Sequence, residues 1–197
     1  MNAEGDVRWE SDRFRADVAV YQNAVDNFIF ITPTGTTQNG LQVFRHVQSD
    51  ARLTGMDAAA EARVSDRLTL RGSYDFVNGE ERPTGTPLPL VPPPRTMLGA
   101  ELALGRFGAW RDVSVGSDVE INQTQTRLNP NDFATTGYTL LNFDFTASRT
   151  WRARPVRFDL DVRNALNTTY RDYLSRFKSF ANAPGVNVIL KASAGVW

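Results

Sequence analysis

The sequence alternates apolar and polar residues over most of its length, with a period of two. The clearest alternating segments are residues 67–76, 113–121, 141–148 and 156–163. Because successive side chains of a strand point to opposite sides, this period predicts strands with one apolar and one polar face. No segment has a convincing helical period, so the sequence predicts an all-β protein.

The alternating segments predict about nine up-and-down antiparallel strands, joined by connections that are short and long in turn. The predicted strands are residues 3–9, 12–31, 41–64, 67–78, 95–105, 111–125, 138–150, 154–164 and 186–197. The predicted long connections are residues 32–40, 79–94, 126–137 and 165–185. This order is typical of outer-membrane β-barrels, which have short periplasmic turns and longer extracellular loops.

Alternation alone does not show which face meets which surroundings. In a soluble barrel or sandwich the apolar face forms the core, whereas in a membrane barrel it meets lipid and the polar face lines the interior. Several predicted strands reach the roughly 9–11 residues that a tilted spanning strand needs. Tryptophans 9, 110, 151 and 197 fall at or beside the short-turn ends, as expected for an aromatic belt. These features favour the membrane interpretation.

Composition narrows the function. Lys+Arg and Asp+Glu both number 22, so the net charge of zero gives no argument for a nucleic-acid partner. The chain has no cysteine, which excludes disulfides, cysteine zinc sites and a thiol nucleophile. The first residues lack the basic and apolar regions of a secretion signal. We therefore expect a fragment whose true start lies upstream.

Several segments resemble the barrel of TonB-dependent receptors. The run DVRNALNTTYRD, residues 161–172, resembles that family's penultimate strand and its exit into the last loop. Residues 39–44, 51–57 and 87–95 resemble earlier loop and strand segments of the same barrel. A terminal aromatic, here Trp197, resembles the signal that the barrel assembly machinery reads.

The resemblance implies an antiparallel transmembrane β-barrel fragment that forms an open curved sheet. Residues 1–197 would be the C-terminal portion of the barrel domain, without the N-terminal plug, the TonB box or the earlier of about 22 strands. The implied function is TonB-dependent uptake of a scarce nutrient, an iron–siderophore or similar metal chelate, with no enzymatic activity and no cofactor. The implied location is the outer membrane of a Gram-negative bacterium, crossed several times. The implied partners are outer-membrane lipid, the assembly machinery, a small-molecule nutrient and, in the full-length parent, the plug and TonB.

Candidate site residues follow from these expectations. Candidates for substrate contact in the outer loops are Arg82, Tyr170, Arg171, Tyr173, Arg176 and Lys178. Candidates for the lumen wall are Asp118, Glu120, Arg157, Asp159, Asp161 and Arg163. The alternative for the second group is a solvated sheet face with weak cross-strand ion pairs. Without a nucleophile or a histidine partner nearby, we expect no catalytic residue, and no metal-ligand spacing occurs.

Three points stay open. In the last strand the apolar positions are out of step with Trp197, so we expect a bulge near Gly195. The lone histidine, His46, weakens any transfer of a metal specificity. A small complete porin-like barrel and a soluble β-sandwich or lipocalin-type binding module remain alternative functions, and a fragment with two open edges is expected to aggregate when isolated.

Overall fold

The computed structural model describes residues 1–152 and 154–194, and its regular structure consists of nine strands in one antiparallel sheet. The strands are β1 (Asn2–Glu10), β2 (Phe14–Gln38), β3 (Leu41–Arg63), β4 (Leu68–Glu81), β5 (Arg95–Phe107), β6 (Trp110–Asn122), β7 (Tyr138–Trp151), β8 (Arg154–Arg163) and β9 (Asn187–Ala194). They lie side by side in chain order. Within the described residues β1 pairs only with β2 and β9 only with β8, so the sheet is open. The predicted fold class is confirmed.

The strand register places apolar residues opposite apolar residues. One row across β3 to β7 is Ala60, Gly72, Leu98, Val119 and Leu141. The adjacent row on the other face is Glu61, Arg71, Gly99, Asp118 and Asn142. Directly opposite residues of an antiparallel pair share a face, so the alternation of each strand adds up to one apolar and one polar face for the whole sheet.

The apolar face is exposed, not packed into a core. Leu98 is 55% exposed, Phe143 44% and Leu190 71%. A cavity of ≈ 480 Å³ lies against the other face and takes charged side chains from Arg15 on β2 through to Asp144 on β7, so the polar face is concave. A soluble β-sandwich or lipocalin requires the reverse arrangement, with the apolar face buried.

The hydrophobic cluster that is buried lies beyond one end of the sheet. Phe30, Ala51, Leu88 and Val91 form it, where the β2–β3 hairpin meets the β4–β5 loop. The predicted long loop at residues 32–40 is wrong, because both strands continue beyond the sheet to a two-residue turn. The turn residues Asn39 and Gly40 have φ of 51° and 77°. Asn-Gly adopts these left-handed angles readily, so it closes a tight hairpin.

The opposite end carries the short turns and three of the predicted aromatic residues. Trp9 is the last residue but one of β1, Trp110 begins β6 and Trp151 ends β7. Trp197 and the expected bulge near Gly195 lie outside the described residues. No helix among the described residues is long and apolar enough to cross a membrane.

A pair of adjacent residues tests the direction of the two faces. Leu98 lies in the apolar row and Met97 on the polar face, opposite Ser73 and Glu120. In the intact protein that contains this chain, we expect Leu98→Arg to make folding into phospholipid vesicles less favourable by about 2–4 kcal/mol, since an arginine would meet hydrocarbon. Met97→Arg, the matched control, should have a much smaller effect. Heat-modifiable electrophoretic mobility measures the folded fraction, and equal losses for both variants would contradict the assignment of faces.

Candidate functional site

The long connections gather at one end of the sheet, beside the projecting β2–β3 hairpin. Asn129 in the β6–β7 loop donates from Nδ2 to the carbonyl of Pro87 at 3.1 Å and accepts from the Thr32 hydroxyl at 3.3 Å. Gln42 of the hairpin donates to the carbonyl of Asn131 at 3.3 Å. These side-chain contacts hold three separate connections together, so the loop end has a defined structure of its own.

A buried charged cluster joins the β6–β7 loop to the β8–β9 loop. Lys178 Nζ lies 2.7 Å from Asp132 Oδ1, and their side chains are 6% and 4% exposed. The ammonium also lies 3.7 Å from the Tyr173 ring centroid and 5.1 Å from that of Phe133. The Tyr173 hydroxyl donates to the second oxygen of Asp132 at 2.9 Å. No hydrogen-bond acceptor among the described residues is aligned with Nζ, so charge and ring contacts hold the lysine.

Burial sets the ionisation of the two tyrosines in the last loop. It raises the pKa of Tyr173, and the adjacent carboxylate of Asp132 raises it further. Burial likewise raises the pKa of Tyr170. Both phenols therefore stay protonated beyond the pH at which a free tyrosine ionises, and Tyr173 keeps its proton for Asp132.

Asparagines shape the start of the β8–β9 loop. Asn164 and Asn167 have φ of 52° and 53°, a left-handed conformation that asparagine tolerates better than most residues. The Asn164 backbone N–H donates to Asn142 Oδ1 at 2.9 Å, while its side chain exchanges two hydrogen bonds with the backbone of Thr168. The chain leaves β8 sharply as a result, and the following residues turn back over the sheet end.

Arg171 makes hydrogen bonds within the same loop. Its Nε donates to Asn182 Oδ1 at 3.1 Å, and its Nη1 donates to the carbonyls of Lys178 and Ser179 at 3.2 and 3.0 Å. These bonds span the two ends of the segment from 171 to 182. Much of the hydrogen-bonding capacity of this guanidinium is thus used within the loop.

A cavity of ≈ 940 Å³ lies between the two loops, and three of the six predicted contact residues line it: Tyr170, Arg171 and Lys178. The Tyr170 ring lies 4.1 Å from that of Tyr138, at an angle of 34°. The other polar lining residues were not predicted from the sequence; they are Asn122, Thr135, Thr136, Tyr138, Thr139, Thr168, Thr169 and Asn182. Only Tyr138, an aromatic at a strand end, carried a sequence signal for this place.

The other three predicted contact residues lie elsewhere. Arg82 forms ion pairs with Asp26 and with Asp50, the latter at 3.1 Å, at the base of the projecting hairpin. Tyr173 is buried under Lys178 and Arg176 is exposed, and neither lines the loop cavity. The structure therefore does not bring all six candidates into one site.

The six lumen candidates all lie on the polar face. The register places Asp161 opposite Asp144, and Asp159 opposite Thr146. Arg163 lies 3.8 Å from both Asp118 and Asp161, and Arg157 lies 2.8 Å from Asp159. Glu120 accepts a hydrogen bond from Asn122 at 2.7 Å. This wall is a ladder of partly exposed ion pairs, each of which contributes little to stability.

A smaller cavity of ≈ 360 Å³ connects the wall with the loop end. Its lining shares Asn122 and Tyr138 with the loop cavity. Its ionisable carboxylates and guanidinium are those of Asp57, Asp75, Glu120, Asp172 and Arg95. Carboxylates thus outnumber cations here, although the described residues contain no group of three or more potential ligands placed to hold a metal ion.

A family model shows the family of the chain, and solved structures share its fold. The family model described as TonB dependent receptor-like, beta-barrel matches residues 1–165. Among solved structures, the copper transporter OprC shares 19% identity and a TM-score of 0.80, covering 97% of this chain and 30% of that one. The ferric preacinetobactin receptor BauA of Acinetobacter baumannii shares 18% identity and a TM-score of 0.71, with coverages of 98% and 29%.

A third solved structure extends the same likeness. The FrpB iron transporter of Neisseria meningitidis shares 15% identity and a TM-score of 0.68, with coverages of 97% and 30%. At these identities the structural likeness shows the fold alone. The chain spans about 30% of the length of these solved proteins. No curated protein matches the sequence significantly.

The two lysines of the chain form a matched pair for testing the buried cluster. Lys178→Met leaves Asp132 as an unpaired buried charge, a loss of about 3–5 kcal/mol. We expect hydrogen exchange at the amides of residues 124–137 and 164–186 to accelerate strongly. Lys191→Met removes an ammonium that is 63% exposed and 3.3 Å from Asp161, so exchange in both loops should stay unchanged. Similar exchange profiles for the two variants would refute the structural role of Lys178.

Proposed function

The chain belongs to the family of TonB-dependent receptor-like β-barrels, and on that premise we propose that it is the C-terminal portion of an outer-membrane receptor. The proposed substrate is a scarce nutrient, an iron–siderophore or a similar metal chelate. The plug, the TonB box and the earlier strands would belong to the rest of the parent protein. The family consists of transport receptors of the outer membrane, not of enzymes.

One observation carries the proposal: a continuous apolar face that is exposed across nine strands, set back to back with a concave polar face. A sheet of this kind is stable when lipid covers its outside and water fills its inside. The proposed location is therefore the outer membrane of a Gram-negative bacterium, with each long strand crossing it. Outer-membrane lipid and the barrel assembly machinery are the proposed partners of this segment, and the plug and TonB are those of the parent.

A line of cavities with charged and polar side chains in their linings supports a role in transport. The loop cavity of ≈ 940 Å³ and the cavity of ≈ 360 Å³ share Asn122 and Tyr138. The cavity of ≈ 480 Å³ on the concave polar face follows along the same wall, between Arg15 and Asp144. In the proposed receptor a nutrient bound at the loop end would meet this hydrophilic wall on its way inward. Movement along the wall would depend on the plug, which fills the interior in the proposed parent.

The chemistry of the loop cavity supports a ring-bearing polar chelate as the substrate. Lys178 is neutralised by Asp132, and Arg171 is engaged within its own loop. The groups best placed for a ligand are therefore the adjoining, mutually tilted rings of Tyr138 and Tyr170, with neighbouring amides and hydroxyls. Aromatic stacking and hydrogen bonds suit the rings and oxygens of many iron chelates. The names of the similar structures, which include copper and iron transporters, support a metal-containing nutrient.

The porin-like alternative receives less support. A complete small barrel requires its first and last strands to pair, but in the described part of the chain β1 and β9 each have a single neighbour. The likeness to about 30% of much longer barrels also favours a segment of a larger wall.

A pair of loop variants tests the proposed substrate. In the intact receptor that contains this chain, Tyr170→Ala should weaken binding of a ferric chelate by a few-fold to about tenfold, the value of one aromatic stack. Phe177→Ala removes an exposed aromatic of the same loop that does not line the cavity, and it should leave affinity unchanged. Titrations of the detergent-solubilised receptor with ferric catecholates and hydroxamates, followed by fluorescence quenching, measure both. Failure of every ferric chelate to bind would overturn the substrate class.

A further inference from the structure

Arginines are concentrated at two of the four short turns. The β5–β6 and β7–β8 turns and their flanking residues carry Arg106, Arg111, Arg149, Arg152 and Arg154, with Asp112 as the acidic residue. With the same three flanking residues on each side, the β1–β2 and β3–β4 turns carry a nearly balanced set, namely Arg8, Glu10, Asp12, Arg13, Arg15, Glu61, Arg63, Asp66 and Arg67. The positive charge is therefore local to the end of β5 to β8 and is not a property of the whole rim.

Arg149 lies on the apolar side of the sheet. It pairs opposite Val156, which in turn pairs opposite Ala194, so the arginine shares a row with two apolar residues. Its guanidinium carbon lies 5.2 Å from the centroid of the Trp110 ring. That ring meets Phe158 edge-to-face at 5.7 Å between centroids. A charged group thus lies on the otherwise apolar surface of the sheet, beside an indole ring.

The charge of Arg149 has no counterpart in the described part of the chain. Among the described residues it makes no ion pair within 4.0 Å and no side-chain hydrogen bond, and its Nε is buried without an acceptor. The guanidinium of the neighbouring Arg152 lies 5.7 Å from the Trp151 ring centroid and is likewise without a carboxylate partner among the described residues. Cation–π contact orients both groups but leaves their positive charge uncompensated.

A shallow cavity adjoins Arg149 on this surface. It measures ≈ 380 Å³ and is lined by Trp110, Arg149, Trp151, Val156 and Phe158. One cation lies among aromatic and aliphatic side chains. The cavity could therefore hold one anionic group beside the cation, with an attached hydrocarbon chain against the apolar side chains. Guanidinium groups bind phosphate through paired hydrogen bonds, and indoles prefer the headgroup level of a bilayer.

We propose that this cavity binds the phosphate headgroup of a phospholipid in the inner leaflet of the outer membrane. Arg149 holds the phosphate, Arg152 contributes to the local positive field, and an acyl chain lies along Val156 and Phe158. The proposal rests on the outward orientation of the apolar face, which belongs to the proposed function. A lipid fits better than free phosphate, because the cavity is continuous with the apolar surface and most of its lining is not polar.

Lipid adducts on the detergent-solubilised receptor that contains this chain test the proposal directly. Native mass spectrometry would compare dioleoylphosphatidylglycerol, dioleoylglycerol and inorganic phosphate as added ligands. We expect retained adducts of the phospholipid, far fewer of the neutral diacylglycerol with the same acyl chains, and none of phosphate alone. Equal retention of the two lipids would show nonspecific acyl binding and overturn the site. Retention of phosphate alone would assign the cavity to a free anion, which also overturns the proposal.

A charge-removing variant locates the site. Arg149→Gln should weaken phospholipid retention about fivefold, the value of one arginine near a lipid surface. Arg67→Gln, at the β3–β4 turn, is the matched control and should retain the lipid like the parent. Unchanged retention in Arg149→Gln, with normal heat-modifiable mobility, overturns the assignment. If that variant fails to fold, the comparison of the three ligands on the unmodified protein still decides.

Failure of the lipid site can be distinguished from failure of the proposed receptor function. Ferric-chelate binding at the loop end should be the same in Arg149→Gln and in the unmodified receptor. If the receptor still binds ferric chelates but does not prefer the phospholipid to the diacylglycerol, only the lipid-site proposal is overturned. Failure of the protein to take up any lipid, together with folding in detergent-free buffer, would instead end the membrane interpretation on which both depend.

Discussion

The structure depends on keeping backbone pairing and side-chain alternation in step across nine strands. In hydrocarbon every unpaired backbone group costs several kcal/mol, and a slip of one residue would move a strand's apolar set to the opposite face. The register irregularities lie away from the middle rows. They occur beyond Val25 in the projecting hairpin, beyond Ala103 on β5 and before Ser114 on β6. The middle rows are therefore uninterrupted, and each strand keeps the same face outward at the level of the membrane centre.

This constraint has a consequence for the loops. Because the sheet exposes its apolar side, it offers no hydrophobic core on which the long connections can pack. The loop end supplies its own support instead, with the small cluster around Phe30 and Leu88 and with buried polar contacts. Lys178 and Asp132 are nearly inaccessible, an arrangement that is unfavourable unless the charges are paired. The pair specifies how two loops meet, and the cavity between them exists because they meet there.

The sheet could be predicted from the sequence because its signal is local. Alternation in residues 67–76 or 156–163 reports both the strand and its apolar face, and the register follows from matching those faces. The end of the β2–β3 hairpin was mispredicted because residues 32–38, outside the apolar rows, have no reason to alternate. Asn39-Gly40 was a usable hairpin signal. No sequence signal indicated the contact of Lys178 with Asp132, since 46 positions separate them. No pattern near Arg171 indicated that its side chain hydrogen-bonds within its own loop.

Cationic side chains have different surroundings at the two ends of the sheet. At the loop end Arg82, Arg171 and Lys178 each have an acceptor or a carboxylate within the protein. At the short-turn end Arg149 and Arg152 have aromatic rings but no anion among the described residues. A guanidinium beside an apolar surface is unstable without a counter-charge or water. The positive charge of such groups is best compensated where the surroundings supply anions, and in the proposed receptor the phosphates of the inner leaflet would lie at that level.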